Sequence, residues 1–528
     1  MSIRLLLVII AAAFLCGCAS LPPGSSFPKT ASSALAHPEE TRFGQQLAAA
    51  TSEHGGNSGF RMLAMGVDGF LTRVQLANAA ERTLDMQYFI FRADETGKLL
   101  TEAVLRAADR GVHVRVLIDD GETLAGDEQV VALDSHPQIE VRVFNPFRYR
   151  GHSNFLRALE FTLSASRLDY RMHNKLMVAD NSIALIGGRN ISDEYFQVDP
   201  ENQFADDDVF AAGPIVKALS GTFDEFWNSS MAIPVRAIAK AQSSAAALAD
   251  YRQVLTEHRQ EKKEDGSDYA SRVATGEPLA GMIAGRLPLV WAHAELVYDS
   301  PEKKHTDKDG MVGRLMLRPV ATAVAAVQSE LLMVSPYLIP GAEGMQLFGD
   351  LRKRNVTVRI LTNSLESNTV LPAQAGYMRY RPPMLKEGID LFEVRSQLGN
   401  ARGSGETVKM TRFGTYSLHA KLFVFDRKRL FIGSMNFDQR SMHLNTEIGL
   451  IIDSPELAQQ TAARFAAMVS PPNSYQPVLV PDDGGGAHMV WRTQENGQPV
   501  EYGAEPARTN GQRLKAKFLM LIPLDREL

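Results

Sequence analysis

Hydrophobic positions along this chain switch repeatedly between two periods. Residues 63–82 carry apolar side chains at helical spacing, residues 84–91 read as a strand, residues 97–110 return to helical spacing, and residues 112–118 (VHVRVLI) form a second strand pattern ending on Asp119, Asp120 and Gly121. Apolar groups three and four apart line one side of a helix, whereas alternate positions line one face of a strand, so the switching predicts an α/β architecture with a largely parallel sheet. The order then recurs. Residues 331–334 (LLMV) lead into a Pro-containing turn, residues 345–354 are helical, and residues 356–361 (VTVRIL) form a strand ending on Thr362, Asn363 and Ser364; Val356 stands 244 positions after Val112. A shared order at a fixed offset predicts an internal duplication.

The periodic stretches place a first half at residues 61–250 and a second at 311–470. Between them, residues 251–310 include two charge-dense runs punctuated by Gly, 261–268 (EKKEDGSD) and 302–310 (EKKHTDKDG), and read as a linker. Residues 19–60, rich in Ser, Ala, Gly and Pro, read as a flexible tether. Residues 471–528 form a C-terminal tail in which Arg513, Lys515 and Lys517 precede an apolar run at 518–522. That pattern suits either an anionic lipid surface or a helix docked on the protein.

Composition narrows the function classes. A chain of 528 residues with 45% hydrophobic and 22% charged residues can bury two sizeable cores, which excludes dominant disorder. A net charge of −5 argues against a broad basic surface for nucleic acid. Both cysteines, Cys16 and Cys18, lie at the amino terminus, so the body of the chain has neither a disulfide framework nor a Cys-based zinc site. Arg4 followed by the apolar run 5–15 has the form of a secretory signal, too short for a membrane-spanning helix of about 20 residues. Leu15-Cys16-Gly17-Cys18 resembles a bacterial lipoprotein cleavage box, which implies a signal peptide at residues 1–18 and lipidation at Cys18. Ala19 after the cysteine implies the outer membrane, facing the periplasm.

The chemistry concentrates in one frame that occurs twice. His173-x-Lys175, Asp180 and Gly187-Gly188-x-Asn190 match His419-x-Lys421, Asp426 and Gly433-Ser434-x-Asn436, each within 18 residues. Residues i and i+2 of a strand share a face, so each His and its Lys are expected side by side. The next strand and a Gly turn then deliver the Asn. Two cations and two amides suit the non-bridging oxygens of a phosphodiester, and neutral imidazole is available near pH 7 to attack phosphorus. Other catalytic signatures are missing: no Gly-x-Ser-x-Gly elbow, no His-Glu-x-x-His and no phosphate loop. His152, His293 and His305 stand outside any such pattern.

This duplicated frame resembles the paired HKD motif of the phospholipase D superfamily, over about residues 61–470. Stretches such as RMHNKLMVADN (171–181), GGRNISDEYF (187–196) and IGSMNFDQRSMHLNTE (432–447) resemble its cardiolipin synthase C-like branch. The resemblance implies two pseudo-twofold-related α/β/α halves packed as one bilobed unit, with one active site at their interface. It implies His173 as nucleophile, His419 as acid/base, and Lys175, Lys421, Asn190 and Asn436 as phosphate-binding groups, with no cofactor and no metal. Each His needs an acceptor on its other nitrogen. Asp206 in the first half and Glu447 in the second match the family carboxylates for this role, with Asp208 as runner-up to Asp206. Asp180 and Asp426 are expected to be structural. Asp206 to Asp208 as a metal cluster is the weaker reading, since neighbouring strand residues face opposite ways. The implied activity is transfer of a phosphatidyl group to phosphatidylglycerol, with phosphatidylethanolamine as co-substrate. Hydrolysis by the same first step stays open, because the motif does not encode the acceptor. A nuclease is disfavoured by charge and anchor, and a non-catalytic envelope lipoprotein by the completeness of both frames.

Overall fold

The computed structural model of the chain describes residues 25–121, 127–151, 153–199, 201–264, 278–303, 316–397 and 415–522. Cys16, Cys18, His152, His305, half of the first charge-dense run and most of the second lie outside them. The first half contributes strands β1 (Ser58–Leu63), β2 (Thr83–Tyr88), β3 (His113–Asp119), β4 (Ile139–Phe144), β5 (Leu176–Ala179), β6 (Ile183–Gly187), β7 (Asn202–Ala205), β8 (Asp208–Ala212) and β9 (Ala232–Pro234). A tenth, β10 (Val290–Tyr298), opens the second half. It is followed by β11 (Glu330–Val334), β12 (Thr357–Asn363), β13 (Asp390–Val394), β14 (Thr415–Leu418), β15 (Leu422–Phe425), β16 (Arg429–Gly433), β17 (Ile448–Asp453), β18 (Ser474–Pro481), β19 (Ala487–Glu495) and β20 (Gln498–Tyr502).

Within the first half the pairing runs β4-β3-β2-β5-β6-β8-β1, and the second repeats it as β13-β12-β11-β15-β16-β17-β10. Strands β1 and β10 then join antiparallel, Gly59 opposite Trp291, so the halves share one sheet about a pseudo-twofold axis. In this large sheet, among the described residues, β2-β3-β4 and β11-β12-β13 are parallel and the other pairings are antiparallel. The sheet is therefore mixed: a helix joins each successive pair within these parallel trios, while the motif strands β5–β6 and β15–β16 turn back as tight hairpins. A shared apolar core, including Phe60, Leu176 and Val178 from one half with Leu332, Leu418 and Leu422 from the other, fuses the halves.

The expected tether, linker and tail all contribute elements that dock on the body. The tether holds a helix, Arg42–Glu53, that buries Phe43 and Leu47 four residues apart, and Lys29 and Ala34 bond to Ala232 and Asp224. The linker holds a helix, Ala245–Glu264, and the axial strand β10. In the tail, β18 extends the second half's sheet through β13 and carries β19 and β20, before a helix, Asn510–Leu519. In each case a few well-spaced apolar residues suffice to dock a mostly polar segment.

Candidate active site

The two motif hairpins show why Asp180 and Asp426 recur. Asp180–Asn181 and Asp426–Arg427 occupy the left-handed region at the centres of the β5–β6 and β15–β16 turns. The Asp180 carboxylate accepts the main-chain N–H groups of Glu81, Arg82 and Thr83 at 2.9, 2.8 and 2.9 Å. The Asp426 carboxylate accepts those of Gln328, Ser329 and Glu330. Each aspartate thus ties its hairpin to the start of the neighbouring strand, β2 or β11.

The histidines are set from the opposite ends of the strands. Asp119, last residue of β3, accepts the N–H of Met172 at 2.9 Å; Asn363, last residue of β12, accepts the N–H of Leu418 at 2.8 Å and donates to its carbonyl at 2.9 Å. His173 and His419 follow. His173-x-Lys175 and His419-x-Lys421 lie just before β5 and β15 rather than within them, yet each Lys does meet its His: Lys175 Nζ donates to the His173 carbonyl at 2.6 Å, and Lys421 Nζ to that of His419.

Each carboxylate serves the histidine of the other half. β7 and β14 pair parallel across the interface with Ala205 opposite Leu418, and the His419 N–H donates to the Ala205 carbonyl at 2.8 Å. The next residues, Asp206 and His419, therefore face each other, with Oδ2 to Nδ1 at 2.6 Å. In the same way Met172 bridges Thr446, the His173 N–H donates to the Thr446 carbonyl at 2.9 Å, and His173 Nδ1 lies 2.8 Å from Glu447 Oε2. All four side chains are buried. The alternative Asp208 is engaged elsewhere, with Arg73 and Arg189, while Asp207 pairs with Arg464. The three consecutive acids thus answer three different sets of cations and do not converge.

Electrostatics separate the two pairs. Burial opposes ionisation of Asp206, but the His419 ring, Lys421 and Arg189 overcome it and hold the carboxyl down at about 2. Burial pushes Glu447 up to about 7 against Lys175 and the hydroxyls of Ser434 and Ser441, which donate at 2.5 and 2.8 Å. Burial and the neighbouring lysines hold His173 well below its ordinary value and bring His419 down to about 3, so both imidazoles are neutral in the free site and the two pairs differ in their carboxylates. Burial likewise lowers Lys175, and brings Lys421 down to about 8. A phosphate anion bound between the two lysines would favour the charged form of both.

Asn190 has a nearer task than the phosphate. Its Oδ1 accepts the Ile90 N–H at 3.1 Å and its amide donates to the Tyr195 hydroxyl at 2.9 Å, leaving one amide hydrogen for a ligand. Asn436 Oδ1 is buried without a hydrogen-bond partner among the described residues. Sequence reasoning missed Tyr195, whose hydroxyl lies 3.5 Å from His419 Nε2, and Phe89, edge-on to the His173 ring at 5.0 Å. It also missed Lys303, which bonds Asp299 and the carbonyls of Ser441 and Asn445, while Asp299 accepts the Glu447 N–H. Asp119 and Asn363 could have been found, since they close the two repeated strands at the same offset.

The chain matches a family described as cardiolipin synthase, PLD-like domain, over residues 74–227 and 321–469. It is 37% identical over 424 residues to cardiolipin synthase C of Escherichia coli, covering 78% of this chain and 85% of that one. An uncharacterised Helicobacter pylori protein is 28% identical over 532 residues, 99% of this chain and 100% of the other. Among solved structures, phosphatidylserine synthase from Haemophilus influenzae shares the fold, with a TM-score of 0.51 and 12% identity over 81% of this chain and 91% of that one. Two copies of one motif, joined at a common buried centre and matched in both halves, identify the chain as a member of the phospholipase D-like cardiolipin synthase family.

Proposed function

We propose that the chain is a phosphatidyltransferase that makes cardiolipin or a related phospholipid. The observation that carries this reading is the crossed constellation of two histidines, two lysines and two carboxylates at one buried interface. In the first step His173 Nε2 attacks the phosphorus of a donor phospholipid; the N–P bond forms, the bond to the departing alcohol oxygen breaks, and His419 supplies that oxygen's proton. In the second, His419 takes the proton of a phosphatidylglycerol hydroxyl, whose oxygen attacks phosphorus and releases His173. Lys175 and Lys421 stabilise the added charge. Asp206, held down at about 2, and a bound phosphate anion both favour the proton that His419 must carry, against the burial and the Lys421 charge that bring its ring down to about 3 in the free site; Glu447, pushed up to about 7, partners a neutral His173. Phosphatidylethanolamine is the proposed co-substrate.

Cys18 is the proposed lipid anchor, holding the enzyme on the periplasmic face of the outer membrane. Cys18→Ser should abolish acyl labelling, and surviving label would refute the anchor. For the chemistry, purified enzyme is given labelled phosphatidylglycerol with and without phosphatidylethanolamine, and the products are separated. Labelled cardiolipin supports transfer; phosphatidic acid alone would make the enzyme a hydrolase. With a donor whose leaving group needs no protonation, His419→Ala should accumulate an acid-sensitive adduct on His173, and His173→Ala none. An adduct on His419 would invert the assignment.

A further inference from the structure

Two helices in this protein are docked with their apolar faces outward. In Asn154–Leu163 no residue is buried: Phe155, Leu156, Leu159, Phe161 and Leu163 are exposed, Phe155 by 75%. The half-buried residues are the charged ones. Arg157 bonds the Asp120 carbonyl, and the Glu160 carboxylate accepts the main-chain N–H groups of Arg148 and Tyr149, both at 2.8 Å. A soluble helix ordinarily does the reverse. The second, Asn510–Leu519, is pinned by buried Ala516 against Leu365 and Met378 and by Gln512, which donates to the Leu365 carbonyl at 2.7 Å. Its Leu514 and Phe518, with Leu521 just beyond, are exposed by 71%, 65% and 77%. The two segments hold eight of the eleven large apolar side chains exposed among the described residues.

Their attachment points are equivalent. Asp120 and Leu365 lie in the loops directly after β3 and β12, whose last residues, Asp119 and Asn363, hold Met172 and Leu418 immediately before the two histidines. The first loop also touches the site itself, since a Cβ on Gly121 would lie 3.6 Å from Phe89, which packs on His173. The helices thus attach to the loops that follow equivalent strands of the two halves although they come from unrelated parts of the chain.

We infer that these two helices form a docking face for a phospholipid bilayer carrying anionic headgroups, seating the site against the surface that holds its substrate. Exposed Lys515 and Lys517 on the second helix supply the matching charge beside Leu514 and Phe518. Apolar side chains of such helices enter the boundary between headgroups and acyl chains while their cations stay at the headgroups. The inference rests on the phospholipid reading proposed above.

The test uses the full chain in two assays. Phe155→Trp and Phe518→Trp variants are mixed with phosphatidylglycerol-containing vesicles whose acyl chains carry bromine, and quenching beyond that of the parent protein is measured. Docking predicts added quenching in both variants. In parallel, the pairs Phe155→Ser with Leu159→Ser and Leu514→Ser with Phe518→Ser are assayed on vesicles and on short-chain phosphatidylglycerol below its micellar threshold. Each pair should lower vesicle turnover about tenfold or more and leave the dispersed substrate within about twofold. No added quenching, equal losses on both substrates, or a dimer that the serine pairs dissolve would overturn the docking face. A parent enzyme that turns over neither substrate but shows the quenching would sink phosphatidyl transfer and keep the docking face.

Discussion

Asp206→Asn tests the crossed pairing most directly. The substitution keeps shape and one acceptor oxygen but removes the charge 2.6 Å from His419 Nδ1. With the charge centres roughly 4 Å apart and an effective dielectric constant of about 20, the lost attraction for imidazolium is about 4 kcal/mol, or about a thousandfold in the protonated fraction. Since His419 is assigned to protonate the departing alcohol, turnover of phosphatidylglycerol should fall by about 10³, within the range for losing a general acid. A phosphatidyl ester with a nitrophenolate leaving group needs no such proton. For it, release of nitrophenolate in the first turnover, read by stopped-flow absorbance, should slow by no more than about tenfold, well short of the natural-substrate loss. Glu447→Gln disturbs the nucleophile's partner instead, so it should slow that burst and natural turnover alike. If Asp206→Asn slowed both substrates equally and Glu447→Gln spared the burst, the roles of the two pairs would be reversed.

The other predictions concern stability and pH. Asp180→Ala leaves three main-chain N–H groups without their acceptor, so it should cost about 3 kcal/mol or more in denaturant unfolding, while activity per folded molecule stays within about twofold. Lys421, brought down to about 8 by burial, is charged below that pH and neutral above it; kcat/KM should therefore fall as pH rises through about 8. Lys421→Arg should move that limb upward by several units at a lower plateau, and a wild-type profile flat to high pH would remove Lys421 from phosphate binding. Lys303→Met strands buried Asp299 beside the Glu447 backbone and should cost about 3–5 kcal/mol by chemical denaturation.

Much of the fold was legible because the repeat doubles every signal. The strand patterns at 112–118 and 356–361 correspond to β3 and β12, and the hairpin strands follow each Lys, because continuous apolar runs such as LMVA and LFVF permit burial on both faces. The polar-looking segments were harder. In Arg42–Glu53 only two side chains, Phe43 and Leu47, are buried, too weak a pattern to rise above a Ser- and Ala-rich background. The linker reading failed at β10 for another reason: its charged neighbours dominated the composition, while VWAHAELVY joins the two halves. At the site, residue identities were readable but partners were not. Whether Asp206 faces His173 or His419 depends on β7 pairing with β14 some 200 residues away, and no local period encodes that choice.

The same crossing explains why the two motifs differ at one position. Where the first reads Gly187-Gly188, the second reads Gly433-Ser434. A Cβ on Gly188 would lie 2.1 Å from Asp206 Oδ1, so the short aspartate side chain can reach across to His419 only if residue 188 has no side chain. Glu447, one methylene longer, reaches across to His173 in the same way. Its carboxylate sits where a hydroxyl fits beneath it, and Ser434 fills that place with a 2.5 Å bond to Oε2 while also accepting the Ile448 N–H at 3.0 Å. The substitutions at 188 and 434 and the choice of Asp or Glu are therefore one compensated difference. It gives one histidine a tightly ionised partner and the other a carboxyl pushed up to about 7, an asymmetry that a strictly duplicated site would lack.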